Sequence, residues 1–207
     1  MKALLVVDIQ NDFLPGGSLA VPESDRIIPV LNRLMERFPL AVATTDWHPK
    51  NHASFASNHP GHEIFDEIDL DGVTQKLWPD HCVQGTPGAE FPKELNANPF
   101  AAIFRKGSDP KVDSYSGFFD NRRAHQTGLT GYLKGLGVKQ LYIAGLAAEI
   151  CVSFSAADGI EQGFETAIIE DACEALDPES YARKKEELQK EGVRFVQSTE
   201  LIEELKR

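Results

Sequence analysis

The sequence predicts an α/β fold, with a doubly wound, mainly parallel six-stranded sheet and helices on both faces. Short apolar runs rich in β-branched residues alternate with segments of helical periodicity, which is the pattern of βαβ crossovers. The first run, LLVV at residues 4–7, ends abruptly at Asp8, as expected of a central strand buried on both faces. Hydrophobic residues make up 42% of the chain, enough for a sizeable core.

Six apolar runs predict the strands, at residues 4–7, 40–44, 100–104, 139–144, 166–169 and 193–197. Helical spacing of apolar residues predicts a first helix over residues 27–38, with Pro29 in its first turn. Further helices are predicted over residues 128–135, 149–162, 178–191 and 199–206. Between them, residues 47–99 are rich in His, Pro, Gly and Asp and show no clear periodicity. A segment of that length inside a compact domain is usually functional or disordered.

Length and charge limit the classes of protein. A chain of 207 residues suits one domain over residues 1–207. A net charge of −11 argues against sequence-independent binding to nucleic acid or to an anionic membrane. We also expect no membrane span and no signal peptide, since no apolar run reaches about 18 residues. Three scattered cysteines, Cys82, Cys151 and Cys173, do not make a disulfide framework, so a reducing, cytoplasmic location is expected.

Three residues whose side chains could take part in catalysis follow predicted strands. Asp8 and Lys106 come just after the first and third strands, and Cys151 lies in GLAAEICV, between the fourth strand and a helix. Each has an ordinary interpretation alone: a turn or capping Asp, a surface Lys, a small buried Cys. A doubly wound sheet brings its strand ends into one cleft. Together the three residues therefore predict a catalytic site, in which a nearby Lys would lower the thiol pKa.

A metal site is predicted by DWHPKNH at residues 46–52 and WPDHC at residues 78–82. Asp46 and His48 are two residues apart, so their side chains can point the same way in an extended segment. His81 could complete the set, and His52 could be a fourth ligand. A carboxylate and two imidazoles suit Zn²⁺, Mn²⁺ or Fe²⁺. The alternative is that these are ordinary loop histidines, exposed or hydrogen-bonded.

Six motifs together resemble those of one enzyme family. In order, DIQNDF, DWHPKNHASF, WPDHCVQGTPGAEF, FRKG, DSYSGF and GLAAEICV resemble the nicotinamidase branch of the isochorismatase-like cysteine hydrolases. SAADGIEQGF and EDACEA extend the likeness to about residue 175. The resemblance implies an isochorismatase-like hydrolase fold and a Cys–Asp–Lys triad. It also implies hydrolysis of nicotinamide to nicotinate and ammonia through a thioester, in NAD salvage.

The same resemblance implies roles for individual residues. Cys151 would be the nucleophile, Asp8 the proton carrier and Lys106 the cation beside both. One divalent metal ion, first of all Zn²⁺, would be held by Asp46, His48 and His81. The N–H groups of Ala147 and Cys151 would form the oxyanion hole, after a cis Leu146–Ala147 peptide. The ring pocket would be lined by Phe13, Leu19, Trp78 and Tyr115.

One departure from the family pattern precedes the nucleophile. The family more often has Thr or Leu, then Asp, then an aromatic residue or His, where this chain has Ala148, Glu149 and Ile150. This bears on ring selectivity more than on the triad. The alternative functions are another amidohydrolase of the superfamily, acting on a carbamoyl or ureido substrate, and a non-catalytic binding protein. The expected partner is a small amide, and the exposed helices permit a homo-oligomer.

Overall fold

The computed structural model describes residues 1–205, and six of its strands form one parallel sheet. The strands are β1 (Lys2–Val7), β2 (Ala41–Asp46), β3 (Glu67–Leu70), β4 (Val73–Lys76), β5 (Phe100–Lys106), β6 (Gln140–Gly145), β7 (Glu165–Cys173) and β8 (Arg194–Val196). The sheet order is β5-β2-β1-β6-β7-β8, and β3 and β4 form a separate antiparallel hairpin. The predicted fold class is confirmed.

Four helices of the described chain lie in connections between strands of the sheet, and a fifth follows β8. They are α1 (Ile28–Met35), α2 (Leu129–Gly135), α3 (Ser153–Glu161), α4 (Pro178–Lys190) and α5 (Ser198–Leu205). The start of α4 shows how local sequence sets a boundary: Pro178 occupies its first turn, and the Asp177 carboxylate accepts the N–H groups of Glu179 and Ser180. Within residues 1–205, no helix combines the length and the apolar character needed to cross a membrane.

Strand β1 lies at the centre of the core. Residues 3–7 are fully buried, because the strand pairs with β2 on one side and β6 on the other while helices cover both faces of such a sheet. The chain builds outward from β1 through β2 to β5, then crosses over to β6. The switch point therefore lies between β1 and β6, where ligands bind in sheets of this class.

A glycine allows close strand contact at this switch point. Gly145 ends β6 with φ +130°, and a Cβ placed there would lie 2.1 Å from the carbonyl oxygen of Val7. No other residue fits, since both the backbone conformation and the space exclude a side chain. The tight contact brings the chain after β1 beside the chain after β6.

The structure corrects several predicted boundaries. The hairpin β3–β4 lies in the stretch predicted to be irregular, and β7 continues to Cys173 instead of ending at residue 169. The helix predicted from residue 149 begins as a wide π-type turn, Ala148–Val152, before α3. The first helix is shorter than predicted and follows a 3₁₀ turn, Ser24–Ile27. Lys206, the predicted end of the last helix, lies outside the described residues.

Candidate active site

The ammonium group of Lys106 is the centre of a buried cluster at the end of β5. Its Nζ donates hydrogen bonds to Asp46 Oδ1, to the Ser114 carbonyl oxygen at 3.0 Å and to Cys151 Sγ at 3.3 Å. Asp8 Oδ2 lies 2.8 Å away as an ion pair. The side chains of Lys106 and Asp8 are fully buried. The structure thus brings together the three residues of the predicted triad.

The two carboxylate oxygens of Asp8 have different partners. Its Oδ1 accepts a hydrogen bond from Thr44 Oγ1 at 2.7 Å. Its Oδ2 faces the Lys106 ammonium at 2.8 Å and accepts no other hydrogen bond. Asp8 also has φ +51°, a conformation that is uncommon outside glycine and is concentrated at functional sites. Oδ2 is therefore the oxygen available to take a proton.

Burial dominates the acid–base properties of this cluster. Burial raises the pKa of Asp8 to about 6. The Lys106 ammonium lowers this pKa, and the Asp46 carboxylate raises it further. Burial also raises the pKa of the Cys151 thiol, although Lys106 acts in the opposite direction. Lys106 thus acts on the thiol pKa in the predicted direction, and burial outweighs its effect. The resting cysteine is a thiol, and it needs a base.

Asp46 joins this cluster to the predicted metal ligands. Its Oδ2 lies 3.7 Å from His48 Nε2 and 3.8 Å from His81 Nε2. All three side chains are buried, and their ligand atoms lie within 4.8 Å of one another. Although burial opposes it, Lys106 and His48 hold the pKa of Asp46 below its ordinary value. An ionised carboxylate therefore faces two imidazoles.

Both imidazoles are oriented by carbonyl groups. The Nδ1 atoms of His48 and His81 lie 2.8 Å from the carbonyl oxygens of Gly107 and Pro79. Because a carbonyl only accepts, each Nδ1 carries a proton, and Nε2 is left as the ligand atom, the arrangement usual for metal-binding histidines. Burial lowers the pKa of His81 to about 4. The pKa of His48 is raised, because the effect of the Asp46 carboxylate exceeds that of burial. A cation bound at His48 Nε2 would therefore replace a proton.

Two residues hold these ligands in place. Gly107 has φ +64°, and a Cβ there would lie 2.3 Å from the His48 ring, so only glycine allows the imidazole to reach its carbonyl. The side-chain amide of Gln10 accepts from Asp46 N at 2.7 Å and donates to Asp46 O at 2.8 Å. This double hydrogen bond fixes the end of β2 at the ligand.

His52 packs against His48, with ring centroids 4.3 Å apart, but does not belong to the group of Asp46, His48 and His81. It is fully buried, and its Nδ1 contacts Ser54 Oγ at 2.7 Å and accepts from Ser54 N at 3.2 Å. Its neighbours with ligand atoms are His48 and Asp113, whereas Asp46 and His81 belong to the other group. His52 Nε2 has no hydrogen-bond partner.

A narrow pocket runs between the triad and the metal ligands. Its polar side chains include Cys151, Asp46 and His81. Its apolar and aromatic walls are formed by Phe13, Leu19, Val21, Trp78, Tyr115, Ala147, Ile150 and Leu176. All four predicted ring-pocket residues are among them. The Leu146–Ala147 peptide is cis, as the resemblance implies, and it immediately precedes the turn that carries Cys151.

Comparison with protein families matches residues 2–200 to the isochorismatase domain. The chain belongs to the isochorismatase family. A curated nicotinamidase from Acinetobacter baylyi is 45% identical over 201 residues, covering 97% of this chain and 94% of the relative. A solved Acinetobacter baumanii nicotinamidase and pyrazinamidase is 48% identical with a TM-score of 0.94, covering 97% of both chains. A Pyrococcus horikoshii pyrazinamidase in complex with zinc is 42% identical with a TM-score of 0.79, covering 95% of this chain and 98% of that one.

Some residues that line the pocket were not predicted from the sequence. Val21, Asp113 and Leu176 also line the pocket. Ile150, the neighbour of Cys151 that was expected to bear on ring selectivity, lines it as well. Asp113 stands in the motif DSYSGF, which marked the region but not this residue. Leu176 lies 25 positions beyond Cys151 and carries no local signal.

Proposed function

We propose that this isochorismatase-family protein is a nicotinamidase, which converts nicotinamide and water to nicotinate and ammonia. The observation that carries the proposal is the Lys106 ammonium, in contact with both Asp8 and Cys151 at one end of an aromatic pocket. A nucleophile, a base and a cation in contact are the parts needed to cleave an unreactive amide. Relatives at 45% and 48% identity bear the name nicotinamidase.

The first step is attack by sulfur on the amide carbon. Asp8 Oδ2, with a pKa of about 6, is ionised at pH 7 and takes the thiol proton of Cys151. The sulfur electron pair forms the C–S bond, and the carbonyl π electrons move to oxygen. Lys106, 3.3 Å from Sγ, stabilises the negative charge while it is on sulfur.

The second step expels ammonia. We assign the oxyanion to the backbone N–H groups of Ala147 and Cys151; losing one such donor typically costs about 10²–10³-fold in rate. Protonated Asp8 returns its proton to the amide nitrogen, the C–N bond breaks, and the oxyanion electrons re-form the carbonyl. Ammonia leaves, and Cys151 holds the acyl group as a thioester.

Hydrolysis of the thioester regenerates the enzyme. Asp8 is again ionised, so it can take a proton from a water molecule whose oxygen attacks the thioester carbon. Collapse of this second tetrahedral species breaks the C–S bond and releases nicotinic acid, which loses its carboxyl proton to water and becomes nicotinate. Asp8 then returns the proton to the sulfur of Cys151, which restores the resting thiol.

A divalent metal ion, first of all zinc, would be held by Asp46, His48 and His81. This assignment is supported by the facing Nε2 atoms and carboxylate, and by the zinc complex of the Pyrococcus horikoshii neighbour. When bound, such an ion supplies a Lewis-acid contact that can orient the ring nitrogen of the substrate. The aromatic walls of the pocket would hold the ring faces.

Two broader assignments accompany this function. We propose that residues 1–207 form one isochorismatase-like domain acting on a small amide. We also place the enzyme in the cytoplasm, in support of which Cys82, Cys151 and Cys173 are all unpaired.

Ammonia release from nicotinamide tests the proposal directly. Purified wild-type protein, loaded with zinc, should turn over at about 1 s⁻¹ or faster, within the usual range of enzymes. Cys151→Ala, purified in parallel, should release none above background. No release by the wild type, together with hydrolysis of a carbamoyl or ureido amide, would contradict the assignment and favour another amidohydrolase of the family.

A further inference from the structure

A buried carboxylate beside the nucleophile has no part in the mechanism. Glu149 precedes Cys151 by two residues and is 8% exposed. Its oxygens accept the backbone N–H of Asp177 at 2.7 Å and that of Leu176 at 3.2 Å. A carboxylate withheld from water is costly unless it is hydrogen-bonded, and hydrogen bonds to an ionised acceptor are among the stronger ones. Glu149 therefore joins two separate segments of chain.

Both of these segments form walls of the substrate pocket. Ile150, the neighbour of Glu149, lines one wall, and Leu176 lines another. The same two residues, with Trp78, also line a second cavity. They therefore lie between the two cavities. The distance between these walls depends on what holds residues 176 and 177 against the turn of the nucleophile.

The two segments differ in how they are supported. The nucleophile turn is held internally, because Ser153 Oγ donates to Ala148 O at 2.6 Å. A backbone hydrogen bond from Ala148 N to Glu174 O at 2.8 Å also links the two segments, two residues before Leu176. The N–H groups of Leu176 and Asp177 themselves are directed at Glu149. Removing the carboxylate would therefore loosen the Leu176 wall, while Glu174 and Cys151 stay in place.

We propose that Glu149 is a positioning residue that sets the width of the substrate pocket by holding Leu176 against the nucleophile turn. The inference rests on the proposed function, because it takes the ring of nicotinamide as the occupant. Its effect acts on substrate binding more than on the chemical step. Glu149 touches neither the reacting atoms nor Lys106.

The test is Glu149→Gln, which keeps the size and one acceptor oxygen but sets an NH₂ donor against a backbone N–H. With nicotinamide, KM should rise about tenfold, a change equivalent to about 1.4 kcal/mol, while kcat stays within about threefold. Because KM is not always a dissociation constant, nicotinamide binding is also measured by calorimetry in the Cys151→Ala background. A tenfold weaker dissociation constant with the second substitution is the expected result.

Asp171→Asn provides the matched control. It changes another carboxylate to an amide, one that accepts the backbone N–H of Ser198 at 2.7 Å at the start of α5 and does not line the substrate pocket. We expect a lower melting temperature with KM unchanged. An equal rise of KM in both variants would overturn the proposal, because the effect would then come from general destabilisation.

Amide hydrogen exchange separates this proposal from the assigned activity. In Glu149→Gln, exchange at Leu176 and Asp177 should be faster than in the wild type, with the amides of β1 unchanged. Unchanged exchange at both positions, or a fall in kcat as large as that in kcat/KM, contradicts the positioning role. A wild type without nicotinamide turnover refutes the proposed function instead, and the exchange result still decides how the wall is held.

Discussion

The two halves of the site share one carboxylate and differ in where their positive charge comes from. Asp46 Oδ1 accepts a hydrogen bond from Lys106, while Asp46 Oδ2 faces His48 and His81. In the triad half, the cation is a side chain already between Asp8, Asp46 and Cys151. In the other half, three ligand atoms converge on a point that a cation from solution can occupy. The chain thus supplies one cation itself, the Lys106 ammonium, and the group of Asp46, His48 and His81 could hold a second.

The halves also differ in how they are supported. The triad side chains come from the ends of β1 and β5 and from the turn after β6, so the sheet itself fixes them. The imidazoles are held by single hydrogen bonds to Gly107 O and Pro79 O, and His81 lies on a long loop. We expect changes in the triad half to affect chemistry and stability, and changes in the ligand half to affect ion affinity.

The largest effect is expected from Cys151→Ala. Removing the nucleophile should lower kcat by about 10⁴-fold or more, as losing a nucleophile does in other covalent hydrolases. Zinc content should be unchanged, because no ligand is lost; metal analysis of the same sample checks this. Cys173→Ala, at another buried cysteine, should retain wild-type turnover. Loss of zinc from Cys151→Ala would show that the two halves are not separable.

Lys106→Met should damage stability as well as turnover. It leaves Asp8 and Asp46 as buried carboxylates without their cation, which typically costs about 3–5 kcal/mol. Urea unfolding at pH 7 should show the loss. Lowering the pH toward 5 should narrow the gap from the wild type, since the pKa of Asp8 would rise above about 6 without Lys106. The control is Lys111→Met, at an exposed position; a gap independent of pH would refute the charge argument.

His81→Ala should act mainly on the metal. It removes one proposed ligand and a buried ring but leaves the Asp46–Lys106 pair, so the melting temperature without metal should fall less than in Lys106→Met. Zinc affinity should fall by at least about 10–100-fold, the cost typical of disturbing even the groups around a ligand; chelator competition measures it. Added zinc should restore part of the turnover. His62→Ala, at an exposed histidine of the same loop, should behave as wild type, and unchanged zinc affinity in His81→Ala would exclude His81 as a ligand.

The smallest expected effect is a shift of a pH profile. Below about pH 6, Asp8 becomes protonated and cannot take the thiol proton, so kcat/KM should fall about tenfold per pH unit. Thr44→Val removes the hydrogen bond to the ionised Asp8 carboxylate, and a hydrogen bond to a charged group is worth about 1.5–3 kcal/mol. The acid limb should therefore move to higher pH by about one to two units. Thr45→Val is the neighbouring control, and an unmoved limb in Thr44→Val would mean that another group limits activity at low pH.

The parts of the fold fixed by local pattern were predictable. Strand β1 is a continuous apolar run because both of its faces are buried, and Asp8 marks its end. The hairpin β3–β4 was missed although Asp71 and Gly72 form its turn with φ of +52° and +85°, the Asp-Gly signal of a tight hairpin. The flanking strands alternate only weakly between apolar and polar residues, which hid them inside a polar stretch.

For the site, the sequence predicts the reacting residues but not their environment. The motifs identify Asp8, Lys106 and Cys151, but local sequence does not give the degree of burial that raises the thiol pKa. Leu176 reaches the pocket only because β7 pairs with β6 and Glu149 binds the segment that follows. Such residues are placed by tertiary structure, and their own sequence neighbourhood does not mark them.

The fully buried charges around Lys106 have a consequence for how this chain can evolve. Removing one member leaves the others unpaired, whereas exchanging a whole buried ion cluster for well-packed apolar residues is often neutral or stabilising. A library selected only for thermal stability should therefore drift toward inactive members with apolar side chains at Asp8, Asp46 and Lys106 together. Each single substitution toward that state gives an unstable protein. The cluster is therefore retained by the loss of folding stability that every first substitution causes, as well as by selection for turnover.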